Sequence, residues 1–284
     1  SSNTVPALKL FLASTSDWNE VITDVGVFTD SLVLYNKEAN WTQGAFNHVS
    51  KGGGLDLGWG TYNVQTHVIE GSRIFVVKGR DGSFKKLFIE NLKSGVYNFK
   101  YANLDGSDEQ TKSVAKGRDK GAIIYFSLQS GEIVPTPKDY DLMFWRYYTS
   151  LDNEGVPLEY IVTGILTAPG VESVNSRGVD PDNIEESDYK DEYTSLPTNI
   201  GHYWKRFYFS LGWVIRDDQV NFVKTKDKDI YKVVFIDFEG ATNGNAYFES
   251  TFIKNLTSNK DIAAPISVSV SPNPAHTSIT IESE

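Results

Sequence analysis

Short runs of aromatic and β-branched residues recur along this chain between Gly, Asn, Asp and Pro punctuation. They include Arg73–Lys78 (RIFVVK), Lys86–Glu90 (KLFIE), Val96–Ala102 (VYNFKYA) and Ala122–Leu128 (AIIYFSL). Tyr160–Leu166 (YIVTGIL), Lys205–Leu211 (KRFYFSL), Gln219–Lys224 (QVNFVK) and Tyr231–Phe238 (YKVVFIDF) continue the series. Strands at short spacing with turn signals between them predict an antiparallel all-β fold. Arg80-Asp81-Gly82-Ser83, Asp105-Gly106 and Asn243-Gly244 mark tight turns. Asp17–Val25 and Asp180–Asp188 are each expected to hold a short helix, with Asp182 capping the second. The polar, acidic stretch Ala168–Thr198 contains Pro169, Pro181 and Pro197 and reads as a long surface excursion.

The pattern repeats itself. Ile74–Ile89 (IFVVKGRDGSFKKLFI) aligns with Val220–Phe235 (VNFVKTKDKDIYKVVF) at a spacing of about 146 residues. Val77-Lys78, Asp81 and Lys86 meet Val223-Lys224, Asp227 and Lys232, and a tryptophan, Trp59 or Trp204, precedes each copy. Strand, charged turn, strand, glycine-containing loop and strand predict two copies of one unit. The expected division is one β domain over 1–255 in two related halves, about 1–112 and 113–255. A linker over 256–265 and a terminal element over 266–284 follow.

Composition narrows the function. Lys and Arg number 27 against 37 Asp and Glu, a net charge of −10, which argues against a nucleic-acid partner. The absence of cysteine removes disulfides, thiolate metal sites, iron–sulfur clusters and cysteine nucleophiles. No apolar run is long enough to span a bilayer. There is no G-x-S-x-G elbow and no HExxH helix, so no catalytic residue is assigned.

Several passages resemble the HmuY-like family of bacterial haem-binding surface proteins. Tyr125-Phe126-Ser127-Leu128, then Ser130–Val134, Tyr140-Asp141-Leu142 and Arg146-Tyr147, resembles the opening of that domain. Gly58-Trp59 through Tyr101, and again Trp204 through Phe252, is similar to its closing passage. The resemblance implies an antiparallel two-sheet fold and capture of haem outside the cell. In the family the haem ligands, His or Met, lie in the excursion between the two passages. Here that excursion is Thr167–Gly201 and has neither, so no axial ligand transfers and weak or absent ligation is expected.

The last residues, Ile266–Glu284, alternate polar and apolar residues on either side of Pro272-Asn273-Pro274-Ala275. Strand, PNPA and strand resemble the start of the C-terminal sorting domain of type IX secretion cargo. That resemblance implies transit through the outer membrane, with translocon and barrel components as partners, and a secreted or cell-surface location after signal-peptide removal. The tail is expected to be a hairpin outside the core of the main domain.

Remaining candidates are few. His202, beside Tyr203 and Trp204, is the best placed histidine. Met143, Trp145, Arg146 and Tyr147 place aromatic, cationic and thioether groups on one predicted strand, able to stack on a planar ligand, with Trp213 and Tyr208 as additions. His48 and His67 flank a Gly-rich turn and could meet at a metal. Asp180, Asp182 and Glu185 make a weak calcium candidate, although the EF-hand glycine and terminal glutamate are missing. The reading is a secreted or surface-displayed, non-enzymatic binding protein. A haemophore, a surface adhesin or structural cargo, and a polysaccharide-acting enzyme are the alternatives.

Overall fold

The computed structural model describes residues 8–36, 38, 40–117, 123–135, 139–257, 266–271 and 280–283; side chains are described up to residue 257, those of residues 153, 241 and 242 excepted. Strand makes up 48% and helix 6% of the chain, so the all-β expectation holds. Two compact units are formed, Ser1–Lys37 with Thr42–Pro137, and Glu38–Trp41 with Lys138–Glu284. The division falls after Pro137, some way beyond the expected position near residue 112.

In the first unit, β1 (Lys9–Leu12), β2 (Gly60–Asn63), β3 (Val68–Gly71), β4 (Ile74–Lys78), β5 (Phe84–Lys93), β6 (Val96–Asn103) and β7 (Gln110–Ala115) form one antiparallel sheet. Laterally it runs β1-β4-β5-β6-β7, with the β2–β3 hairpin joining β5 through Ile69 and Glu70. A small hairpin, β8 (Tyr125–Ser127) with β9 (Glu132–Val134), belongs to the same unit. Side chains alternate between sheet faces. Leu10, Phe75, Val77 and Leu87 pack with Trp59, Phe99 and Tyr101 on one face. Phe11, Ile74 and Val76 pack with Ala13, Phe28 and Val33 on the other. A strand covered on both faces must be apolar throughout, which is why β4 reads IFVV without a break.

The second unit contains β10 (Leu142–Asn153) and β11 (Val156–Thr167), a long ribbon closed by Glu154-Gly155, both at positive φ as a type I′ turn requires. Then come β12 (Glu172–Arg177), the hairpin β13 (Lys205–Tyr208) with β14 (Gly212–Ile215), β15 (Gln219–Lys224), β16 (Asp229–Phe238), β17 (Ala246–Asn255), β18 (Ile266–Ser271) and β19 (Thr280–Ser283). The sheet order is β12-β15-β16-β17-β18-β19.

The aligned segments are hairpins of one geometry. Ile74 pairs with Phe88 and Lys78 with Phe84; the same shift gives Lys224 with Ile230 and Asn221 with Val233 in β15–β16. Gly79 N donates to Ser83 O and Gly82 N to Gly79 O; Thr225 N donates to Asp229 O and Lys228 N to Thr225 O. Lys228 adopts the positive φ of Gly82. The next ladders carry a register shift at the same place, between Ile89 and Asn91 and between Phe235 and Asp237. Ser72 N bonds Trp59 O as Arg216 N bonds Trp204 O. The Leu10–Leu34 bridge has its counterpart at Ser173–Thr194. Trp204, Val223, Val233, Phe235 and Phe248 line the second core.

Two expectations change. The tail does not stand alone: β18 pairs with β17 (Ala246 with Val270) and β19 with β18, so the hairpin extends the sheet of the second unit. An unpaired edge beside β17 favours such an addition. The expected helices over 17–25 and 180–188 reduce to 3-10 turns at Val25–Val27 and Glu186–Tyr189. Asp180, rather than Asp182, makes the local cap, accepting from Asp182 N at 3.0 Å.

Candidate functional site

The site is built where the excursion after β12 returns to the β10–β11 ribbon. Ile165 N donates to Gly201 O (2.9 Å) and Gly201 N to Ile165 O (3.2 Å), which brings the returning chain against β11. Gly164 allows this approach, since a Cβ there would lie 2.7 Å from Gly201 O and 3.0 Å from the Tyr147 ring. Gly201 itself sits at φ 62°, a left-handed conformation suited to glycine. The next residue, His202, is thereby set against Tyr147 of β10.

The imidazole Nδ1 of His202 lies 3.4 Å from the Tyr147 hydroxyl. Its ring lies against Tyr203, tilted by 35° with centroids 4.0 Å apart, and the Arg177 guanidinium covers the Tyr203 ring at 5.1 Å. Burial lowers the His202 pKa to about 4, assisted by the positive charges of Lys205 and Arg177, so the ring is neutral at pH 7. Burial raises the Tyr147 phenol above its ordinary value, with the Glu38 charge acting in the same direction. A neutral imidazole with one nitrogen held by a hydroxyl can ligate a metal or exchange a proton through the other.

Lys205 borders this group. It is 5% exposed, its Nζ donates to Thr163 O at 2.5 Å, and it faces Trp204 (4.1 Å), Phe238 (4.6 Å) and Trp213 (5.4 Å). Burial lowers its pKa to about 7. Beyond it, Phe207, Tyr208, Phe209 and Leu211 are exposed on the β13–β14 hairpin.

The unbroken β10–β11 register sorts the other candidates. Met143, Trp145 and Tyr147 share one face of β10, whereas Arg146 alternates to the face of Phe144, which stacks on Phe248 at 5.7 Å. Arg146 therefore does not join Trp145 and Tyr147 in one stacking surface. Tyr147 is brought to His202, with ring centroids 6.4 Å apart. Trp213 is drawn into the packing around Phe238 (5.3 Å), while Tyr208 stays exposed.

Asp180, Asp182 and Glu185 are not gathered: among the described residues no group of three or more acidic or histidine side chains could hold a metal. The Asp180 carboxylate is occupied by Asp182 N and Asn183 Nδ2. Nor is the whole acidic run solvated, since Glu186 is buried and pairs with Lys254 at 2.5 Å. His48 follows a 3-10 turn and His67 lies in the β2–β3 loop, bonded to Tyr62, so they do not occupy neighbouring strands. Pro272, Asn273, Pro274 and Ala275 lie outside the described residues.

Sequence reasoning passed over Lys205 and Arg177. The available signal was a lone Lys at the start of an aromatic strand, Trp204-Lys205-Arg206-Phe207, where alternation puts a charged side chain under cover. No family model, curated protein or solved structure matches the chain.

Proposed function

We propose that this is a non-enzymatic ligand-binding protein of HmuY-like type, exported as type IX secretion cargo and working at the cell surface or beyond it. The supporting observation is His202: a neutral imidazole at the ribbon, its Nδ1 facing Tyr147 and its Nε2 without a hydrogen-bond partner among the described residues. Haem is the ligand that the resemblance implies, and the residues fit it in part. His202 would offer one ligand nitrogen, in the tautomer whose Nδ1–H donates to the Tyr147 oxygen. Met143 lies two same-face positions from Tyr147, about 13 Å along the strand. The chain thus offers one well-placed ligand, and it sits just outside the Thr167–Gly201 excursion. Bound iron would supply the affinity, while Tyr147 and Tyr203 orient the imidazole. The two-unit architecture supports the same reading, because shared registers, register shifts and bridges are what copies of one ancestral unit would retain.

Haemin titration of the whole chain tests this. A saturating Soret shift that His202→Ala removes is expected; no shift, or one indifferent to that substitution, overturns the haem assignment. Export is tested separately. Deleting residues 267–284 should stop the protein reaching the outside of the producing cell, and normal secretion of the shortened chain would refute the sorting role. The fully exposed Phe209, with Phe207 and Leu211 on the same hairpin, favours an adhesin-like second reading in which this tip meets a partner.

A further inference from the structure

The inner face of the β12–β15 ladder departs from its counterpart in the first unit. Asn175 pairs with Asn221 and Arg177 with Gln219, so these four side chains share one face. The positions equivalent to Asn221 and Gln219 in the first unit are Phe75 and Arg73. Phe75 is core, and Arg73 grips both carboxylate oxygens of Asp56 at 2.8 Å. The second unit has buried amides instead. Gln219 is 2% exposed and neither its Nε2 nor its Oε1 has a hydrogen-bond partner among the described residues; Asn221 is fully buried, its Nδ2 donating to Val233 O and its Oδ1 unpartnered among them. Trp204 Nε1 and Arg216 Nε are buried without partners as well, and Asn175 Oδ1 makes a sixth such atom. Buried polar atoms left unpaired are costly, and a cluster of them on one face is what a polar ligand would satisfy.

Positive charge collects at the open end of this face. Arg206 lies opposite Val214 in the β13–β14 ladder, and Arg216 continues that ladder through its N–H bond to Trp204 O (2.9 Å). Arg216 and Arg206 both lie close enough to Arg177 for their charges to act on it. Arg177 and Arg206 have no ion-pair partner among the described residues, and Arg216 holds only the nearby Asp218, at 3.1 Å. In a chain of net charge −10, three guanidinium groups with a single carboxylate partner between them are a local exception. The first unit supplies its own carboxylate to Arg73, whereas the equivalent stretch before β13 offers Gly201 and His202.

We propose that this edge binds a hydroxylated small carboxylate, an acidic sugar unit of the uronic-acid kind. Its carboxylate takes the guanidinium groups of Arg177 and Arg206, and a hydroxyl takes the amide of Gln219, which pairs with Arg177 across the ladder. Planar guanidinium groups match carboxylate geometry, and amides that both donate and accept suit hydroxyls. Tyr208, on the same face of β13 as Arg206 and exposed, offers a ring beside it.

Titration calorimetry of the whole chain with glucuronate, glucose and inorganic sulfate tests the assignment. Glucuronate should saturate one site, with glucose and sulfate giving no saturable heat at the same concentrations. Arg206→Ala and Gln219→Leu should each weaken glucuronate by about tenfold or more. Arg206 is exposed, so its substitution keeps the test valid if Gln219→Leu fails to fold. Haemin titration of Arg206→Ala should match that of the unaltered chain, which separates this site from the His202 reading. Absence of saturable glucuronate binding overturns the proposal. So does sulfate binding as tight as glucuronate, or a Gln219→Leu variant that binds glucuronate normally.

Discussion

Replacing Lys205 with Met removes a buried charge while keeping the length of the side chain. The ammonium is 5% exposed and its pKa falls from 10.5 to about 7 through burial. Three ring faces within 5.4 Å and the Thr163 carbonyl favour the charged form. Each ring contributes about 1 kcal/mol, against roughly 4–5 kcal/mol for the displacement of the pKa, so burial wins. For a base whose folded pKa is depressed, the unfolded chain holds a proton that the folded chain lacks between the two values. Stability contributed through Lys205 is therefore fully present above 10.5 and is lost as the pH falls toward 7. The unfolding free energy of the unaltered chain should rise, relative to Lys205→Met, by about 3 kcal/mol between pH 7 and pH 9.5. Urea unfolding of both proteins at several pH values measures this, and the shared tyrosine titrations cancel in the difference. A difference between the two proteins that stays constant within about 0.5 kcal/mol over that range refutes the argument.

Three further outcomes are expected. Gly164→Ala forces a methyl group to within 2.7 Å of Gly201 O, where backbone cannot yield, and should cost about 1–3 kcal/mol in urea unfolding; an unchanged midpoint would show that the ribbon gives way freely. Arg73→Met strands the Asp56 carboxylate, each partner being 17% exposed, and should cost about 3 kcal/mol at pH 7. The Arg73 guanidinium, with the Lys51 N–H, holds the Asp56 carboxyl well below the usual range, so this contribution is present above pH 3.8 and fades as the pH falls below it; a variant as stable as the parent at pH 7 contradicts the pairing. Deleting residues 266–284 leaves the β17 edge open and should lower the melting temperature and promote association in light scattering, whereas unchanged melting would return the tail to the role of a free-standing hairpin.

The repeated hairpin was legible because both copies keep the same loop length, so one shift carries Ile74–Ile89 onto Val220–Phe235 through the turn and into the register shift beyond. The outer strands were not. Reaching β12 from β1, or β18 from β7, requires other shifts, since the connecting loops differ in length between the units. β7 itself reads QTKSVA, with no large apolar residue to align. Period-two alternation puts aromatics on both faces of β10, but the residues alone do not say which face, that of Trp145 and Tyr147 or that of Phe144 and Arg146, meets Phe248. The pairing of His202 with Tyr147 depends on two glycines far apart in the chain, Gly164 and Gly201. Their close approach leaves no mark in local sequence.

The lateral order β15-β16-β17-β18-β19 is also the order of synthesis. A growing chain can add each of these strands to an edge that already exists, without opening a finished ladder. Until β18 is laid down beside it, β17 presents a row of unsatisfied peptide groups. Position in the ladder here acts as a clock: the arrival of β18 decides when β17 stops being adhesive to other strands.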